Sequence, residues 1–570
     1  MKRRETPLHA AAIAAAALLA NANALLGGFV YDDHPLVQAN AWLRGLGGLS
    51  GLIGRAYWST DSSVGASFGG VYRPVPLLSY AMDRAVLGPG PLGYHLVNIV
   101  LHAAVCLVFW RLLIRLGATG KAALLSALAF AVLPVHVEAV AWISGRPELL
   151  AALFCLLSWR VLLAGDGWLP AAGGAAIFTL ALLSKESAAI FPAAIILFEL
   201  ALSKKAFAET ARRRSRAWLC LFAAGLLWLE WRQMLLGVAL SQKNISLYFE
   251  RQSALVAWLT SAKFFAAHYL WPMLTGLGLR LDYTRPAIAD AGAGDPAAWA
   301  SLFAILALLV AALKDWKRKR VWAASVLAFA VLMFPVSNLL KRVGVIGAER
   351  FLYLPSAALC ALAGLAATTP RRVAVLVAVL VWWAGASARR ALDWKSDETL
   401  WVAEGRWSPR GIGTEMGLGI SAAQAGKPEK AREHFNAVLA AAPGHEQALF
   451  AVGMSYFEQG DETSAVKAFA PLVDSRASLA KDALCALGLA AERRGDLKLA
   501  RSRYEQALSL APSFPLALRD LGLLQLRLGE AAAGVKNLRE YLRVSSGDPE
   551  AEDVRRFLSS ATAARAEIYK

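Results

Sequence analysis

The sequence predicts an all-α chain in two parts, a polytopic membrane domain of about eleven spans followed by a C-terminal α-solenoid of tetratricopeptide repeats. Three observations carry this. Of 570 residues, 57% are hydrophobic and only 18% charged, against about 25% charged in ordinary soluble proteins. Apolar runs long enough to cross a bilayer recur to about residue 390 and then stop. Beyond them, small residues return at a fixed period of 34–35 residues.

The predicted spans are 8–30, 93–115, 122–143, 148–164, 169–184, 186–202, 217–240, 297–313, 321–339, 351–369 and 373–390. The first reads as a span rather than a cleavable signal peptide, because no A-x-A-like site precedes the acidic pair that ends it. Basic residues set the sidedness. Lys2, Arg3 and Arg4, the loop 203–216 with Lys204, Lys205, Arg212, Arg213, Arg214 and Arg216, the stretch "KDWKRKR" (314–320), and Arg371 and Arg372 all fall on the cytoplasmic face if 252–275 does not span. That segment, interrupted by Lys263 and His268, is therefore predicted to be interfacial or re-entrant. The resulting domains are 1–390, with 31–92 as first outer loop and 241–296 as a second outer loop carrying the interfacial helix, and 391–570, placed outside the cytoplasm.

In the second domain Gly419, Gly453, Gly488 and Gly522 are each followed seven residues later by Gly426, Gly460, Gly495 and Gly529. Ala431, Ala465, Ala500 and Gly534 follow, and then Phe435, Phe469, Tyr504 and Leu538. Small residues let the two helices of a unit approach, and the large residue fills the gap to the next unit. Such stacks bind extended peptides or partner proteins, or serve as spacers.

The net charge of +18 would point to nucleic acid in a soluble protein; here it sits in short loops between apolar runs and reads as a topology signal. Cys106, Cys155, Cys220, Cys360 and Cys485 show neither metal spacing nor obvious pairs.

Ionisable groups at membrane depth are costly and mark sites. Five clusters share the predicted outer face: "YDDH" (31–34), "VYRPVPLLSYAMD" (71–83), "LPVHVEAVAWISGRPE" (133–148), "LLSKES" (182–187) and "GAERFLYLPS" (347–356). Asp32, Asp33, Glu138 and Glu186 supply acids fit to serve as a general base. Arg73, Arg146, Lys185 and Arg350, with His136, supply cations suited to a phosphate. A carboxylate base beside such cations fits glycosyl transfer from a lipid-phosphate sugar, with the cations stabilising the departing phosphate. Each cluster also has a plainer reading. The acids could line a solvated loop, His136 and Glu138 could cap a helix, "SKE" could be a loop ion pair, and Arg350 could snorkel. His136 and Glu138 are too few for a metal site, Glu230 and Arg232 have no assigned role, and His95 and His102 read as packing residues. Of the aspartates only one is expected to be the base, and position favours Asp32.

Taken together, "FVYDDHPLVQAN", "YRPVPLLSYAMD", "GYHLVNIVLH", "LPVHVEAVAWISGRPELLAALF", "LLSKESAAIFP", "LDYTRP" and "AERFLYLPS" resemble, in order and spacing, the signature blocks of transmembrane and tetratricopeptide-repeat O-mannosyltransferases. The resemblance covers about residues 15–545. It implies a GT-C glycosyltransferase fold with its site on the non-cytoplasmic face, a polyprenyl-phosphate sugar donor, and Ser or Thr of exported proteins as acceptor. By position it implies a catalytic base at Asp32 or Asp33 and donor phosphate at Arg350. Lys185, Arg146 and His136 match further positions; Arg73 joins Arg350, Lys185 and Arg146 as a candidate for the donor phosphate, and His136, Glu138, Glu186 and Tyr353 are further site candidates. No cofactor is required, since the lipid-phosphate sugar is a substrate; a divalent metal is left open, with no residue spacing to support one. Brevity and an Ala/Arg/Gly-rich composition fit a bacterial homologue, integral to the inner membrane with periplasmic repeats. Two alternatives stand beside this: the same fold acting on a glycolipid or envelope polysaccharide, and a non-catalytic membrane scaffold.

Overall fold

The computed structural model describes residues 5–43, 53–54, 57–58, 71–202, 207–236, 252–284, 288–316, 318, 321–339, 345–545 and 551–559. The terminal cations Lys2, Arg3 and Arg4, the loop residues Lys204 and Lys205, and Lys317, Lys319 and Arg320 of "KDWKRKR" lie outside them. The described residues contain helices and no strands. They form two compact units, the first running to Pro409 apart from Asn40–Trp42, and the second comprising those three residues and the chain from Arg410.

Helices occur at all eleven predicted spans, but length divides them. Five are long and apolar enough to cross a membrane: Thr6–Leu26, Pro91–Arg115, Phe207–Leu236, Pro296–Trp316 and Pro370–Lys395. A sixth forms if the bent pair Gly120–Val132 and Pro134–Ala141 counts as one span. The others are short. Arg146–Leu162 has 17 residues and Ser356–Ala366 only 11, about 26 and 16 Å at 1.5 Å per residue, against a hydrocarbon core of about 30 Å. Helices that fall short tend to end in the polar clusters. Glu186–Ile190 and Glu349–Leu352 are 3-10 turns leading into short apolar helices, and Pro134–His136 and Ile143–Gly145 are 3-10 turns beside others. An interrupted helix at membrane depth is tolerated only where protein satisfies its backbone, so the breaks bring polar side chains inside.

The break at Pro134 shows how. The two halves meet at 52° because proline has no N–H to donate and its ring blocks a continuous helix. Three carbonyls before the break find other donors: Phe130 O with His136 Nδ1 (2.9 Å), Ala131 O with His102 Nε2 (3.0 Å), and Val132 O from Ser387 Oγ (2.9 Å). Segment 254–275 is helical, passing through a π-helical turn at Phe265–Leu270.

In the second unit, helix pairs Ile412–Gln424 with Pro428–Ala441, Glu446–Glu458 with Glu462–Asp474, Ala480–Arg493 with Leu497–Leu510, and Pro515–Arg527 with Ala531–Val544 give four repeats. A Cβ on Gly419, Gly453 or Gly488 would collide with the ring of Phe435, Phe469 or Tyr504 of its own pair. The large residue thus packs first within its unit, and Phe435 then continues to Val452 of the next. The second glycine of each unit has φ between +69° and +81°, the left-handed turn that reverses the chain between helices.

Candidate functional site

The first outer loop begins where the opening span ends. Tyr31 sits at φ 53°, a left-handed conformation that a bulky residue avoids, and Asp32 and Asp33 follow. The two carboxylates then part company. Asp33 is fully buried; its Oδ1 accepts from Ser144 N (2.8 Å) and Ser144 Oγ (2.5 Å), and its Oδ2 from Val30 N (3.2 Å). These bonds pin the loop to the turn Ile143–Gly145 and tie Asp33 to the scaffold, which leaves Asp32 as the aspartate of the pair without such bonds. Burial nonetheless outweighs them and pushes the Asp33 acid up to about 7.

Asp32 is partly exposed, and among the described residues no hydrogen bond reaches its carboxylate. Enclosure by surrounding protein raises its pKa to about 6, against the pull of the Arg350 charge. That pull places Arg350 within electrostatic range. Its backbone N–H donates to Glu138 Oε2 (2.8 Å) and its Nη1 pairs with Glu138 Oε1, while the guanidinium lies over Trp142 (5.1 Å) and Phe351 (5.4 Å). Among the described residues, no hydrogen bond uses Arg350 Nη2 or Nε.

The third cation, Lys185, pairs with Glu148 and lies 5.1 Å from the Phe351 ring. Burial lowers its pKa, Glu148 opposes this, and both Arg73 and Arg350 repel its charge. Arg73 forms a two-pronged pair with Glu186 (2.9 and 2.6 Å) and lies over Tyr57 (5.3 Å). Asp32, Glu138, Arg350, Lys185, Glu148, Arg73 and Glu186 thus form one electrostatic cluster, drawn from chain positions 32 to 350. Glu138, Glu148 and Glu186 each pair directly with one of these three cations, and Arg232 also faces Glu186, whereas no ion pair is made by Asp32 among the described residues.

Three expected site residues lie elsewhere. Arg146 is fully buried, with Nε on Asn98 Oδ1 (2.7 Å), Nη1 on Ser79 Oγ (3.2 Å) and Asp83, and Nη2 on Tyr94 O (3.0 Å). It welds three helices and is enclosed among them. His136 holds Phe130 O and Ser356 Oγ (2.8 Å), and the Tyr353 hydroxyl meets His102 Nδ1 (2.7 Å). Both belong to the buried repair of the Pro134 break. Two contributors were missed in sequence: Glu148, 37 positions from Lys185, and Asp397, which accepts from Tyr31 N (2.8 Å) and His34 Nε2 (2.7 Å). Glu148 closes a cluster already singled out, so pairing each cation there with an acid would have found it. Asp397 carries no such signal. Among the described residues no group of three or more His, Cys, Asp or Glu side chains is placed to hold a metal ion.

Fold and site define a class: an integral membrane protein with a buried acid-and-cation cluster and a tetratricopeptide array. The tetratricopeptide-repeat family model matches residues 416–480 and 485–549. Similar proteins include the mouse (Mus musculus) protein O-mannosyl-transferase TMTC4, 26% identical and aligned over 79% of this chain and 64% of its own length. A Caenorhabditis elegans protein O-mannosyl-transferase, F38B6.6, is 26% identical over 74% of this chain and 61% of its own. The Drosophila melanogaster protein O-mannosyl-transferase Tmtc1 is 35% identical over 29% of this chain and 20% of its own. Among solved structures, one of MamA aligns with 28% of this chain and 88% of its own at 22% identity, with a TM-score of 0.23, too low to add to the comparison. Over most of its length the chain is thus similar to proteins named as O-mannosyl-transferases, and its second unit carries the tetratricopeptide repeats of the matching family model. The chain spans just under two thirds of the length of the first two of these relatives.

Proposed function

We propose that this chain transfers a mannose-like sugar from a polyprenyl-phosphate donor to Ser or Thr hydroxyls of exported polypeptides, at the outer face of a bacterial inner membrane. The observation that carries this reading is the pairing of Asp32, an acid with no hydrogen-bond partner among the described residues, with the charge of Arg350, which Lys185 faces in turn. Asp32 takes the proton of the acceptor hydroxyl, whose oxygen bonds to the anomeric carbon as the bond from that carbon to the phosphate oxygen breaks. The configuration inverts, and polyprenyl phosphate leaves with the bonding pair. Arg350, with Nη2 and Nε to give, and Lys185 meet the charge growing on that phosphate, with Arg73 behind them. No cofactor enters these steps. An acid held at about pKa 6 is ionised at neutral pH and still basic enough to take a proton as the bond forms. The named activity of the relatives and the repeats, which would present the polypeptide, favour a protein acceptor over a glycolipid. Glycoproteomics of the envelope fraction with and without this chain tests the reading. Loss of hexose from Ser and Thr of exported proteins is expected; an unchanged glycoproteome with a changed glycolipid would overturn it.

A further inference from the structure

The helix Asp397–Trp407 follows the last span and contains none of the signature blocks, yet it reaches the site at two places. At its first residue, Asp397 accepts the backbone N–H of Tyr31 on Oδ1 (2.8 Å) and meets His34 Nε2 on Oδ2 (2.7 Å). His34 Nδ1 in turn meets Gln38 Oε1 (2.6 Å), and the Asp397 carboxylate beside the ring raises its pKa to about 9. Seven residues on, two turns along the same helix face, Glu404 accepts from Leu281 N (2.7 Å) and Asp282 N (3.2 Å) and pairs with Arg390 (2.9 Å). The segment held there continues to Arg280, whose N–H donates to Glu349 Oε1 (2.5 Å), the neighbour of Arg350. One helix therefore grips the loop bearing the acid and the strip of chain behind the phosphate-facing arginine.

Tyr31 is the residue in need of holding. At φ 53° its backbone is strained, and Asp32 is next in the chain, so relaxation of Tyr31 re-aims the Asp32 carboxylate. The Tyr31 ring is braced by Trp142 (6.0 Å) and by Trp401 of the same helix (5.5 Å). We propose that Asp397 is a positioning residue of the transfer reaction, holding Tyr31 in the left-handed conformation that aims Asp32 at the acceptor hydroxyl. This rests on Asp32 being the base.

The test uses full-length protein in lipid nanodiscs, with decaprenyl-phosphate mannose as donor probe and a Ser/Thr-rich peptide. Asp397→Ala is expected to lower kcat about a hundredfold, the scale of a misplaced catalytic group, with the donor KM nearly unchanged. Two double variants separate positioning from general support. Glycine and alanine at 31 both lack the ring, but only glycine is at ease at φ 53°. Asp397→Ala with Tyr31→Gly is therefore expected to be about tenfold faster than Asp397→Ala with Tyr31→Ala. Equal rates, or a native kcat in Asp397→Ala, would overturn the proposal. Should Asp397→Ala not be recovered from the membrane, the isosteric Asp397→Asn serves; it weakens both charged bonds, and an unchanged kcat in it also overturns the proposal. A native chain with no transfer, or an active Asp32→Asn, would instead refute the base assignment and leave Asp397 with nothing to position.

Discussion

Asp32 and Asp33 are neighbours with opposite tasks, so removing each should move stability and activity in opposite senses. Take Asp32→Asn first. A carboxyl whose native pKa is about 6 rather than the ordinary 3.8 holds its proton more tightly folded than unfolded, so stability is lost as pH rises from about 4 through 6. At neutral pH the ionised group then costs the fold up to about 3 kcal/mol, and about 1–2 after allowing for water at its partly exposed side. Asparagine keeps the shape without the charge, and Asp32→Asn should unfold a few degrees higher while losing transfer. Asp33→Ala strips acceptors from two buried backbone donors, Val30 N–H and Ser144 N–H, at about 1–3 kcal/mol each. Near pH 4, where the raised acid of Asp33 still costs the fold little, it should be about 2–5 kcal/mol less stable, with part of that loss offset at neutral pH. Thermal unfolding in nanodiscs, followed by intrinsic fluorescence, reads both variants beside the transfer assay. If Asp32→Asn is destabilised as much as Asp33→Ala, or still transfers sugar, the division of labour is wrong.

The remaining expectations are these. Transfer by the native chain should rise with pH through about 6 and then level, because the base must be ionised; a rate independent of pH between 5 and 8 counts against Asp32. Arg350→Ala should weaken binding of decaprenyl-phosphate mannose more than binding of the peptide, read by equilibrium titration, and equal losses would argue against a phosphate role. Arg146→Met should cost about 3–5 kcal/mol by leaving Asp83 buried without its partner, and adding Asp83→Leu should recover much of it; a stable single variant would show the weld to be dispensable. Gly488→Leu should cost about 1–3 kcal/mol by driving a side chain into Tyr504, seen as earlier proteolysis within the repeats.

Periodicity made most of the fold legible. Glycines at a fixed period mark the helix pairs because the close approach and the left-handed turn each need a small residue at a fixed place. Apolar runs marked the helices but overstated their reach: hydropathy does not see that a run such as 186–202 spends its first five residues on a 3-10 turn. The polar clusters were legible as a set, since charge at membrane depth is rare enough to stand out. Which charge works and which merely holds was not legible. Arg146 and Arg350 look alike in sequence, and only the partners brought by distant helices enclose one and leave the other with donors to spare. The same holds for Asp32 and Asp33, separated by where Ser144 happens to fall.

The most direct test of the central claim is a single-turnover transfer assay with purified chain, decaprenyl-phosphate mannose and a Ser/Thr-rich peptide, read by mass spectrometry. The native chain should add hexose to the peptide, and Asp32→Asn, folded and donor-bound, should add none. Hexose added equally by both, or by neither although donor is bound, would contradict Asp32 as the base of a glycosyl transfer.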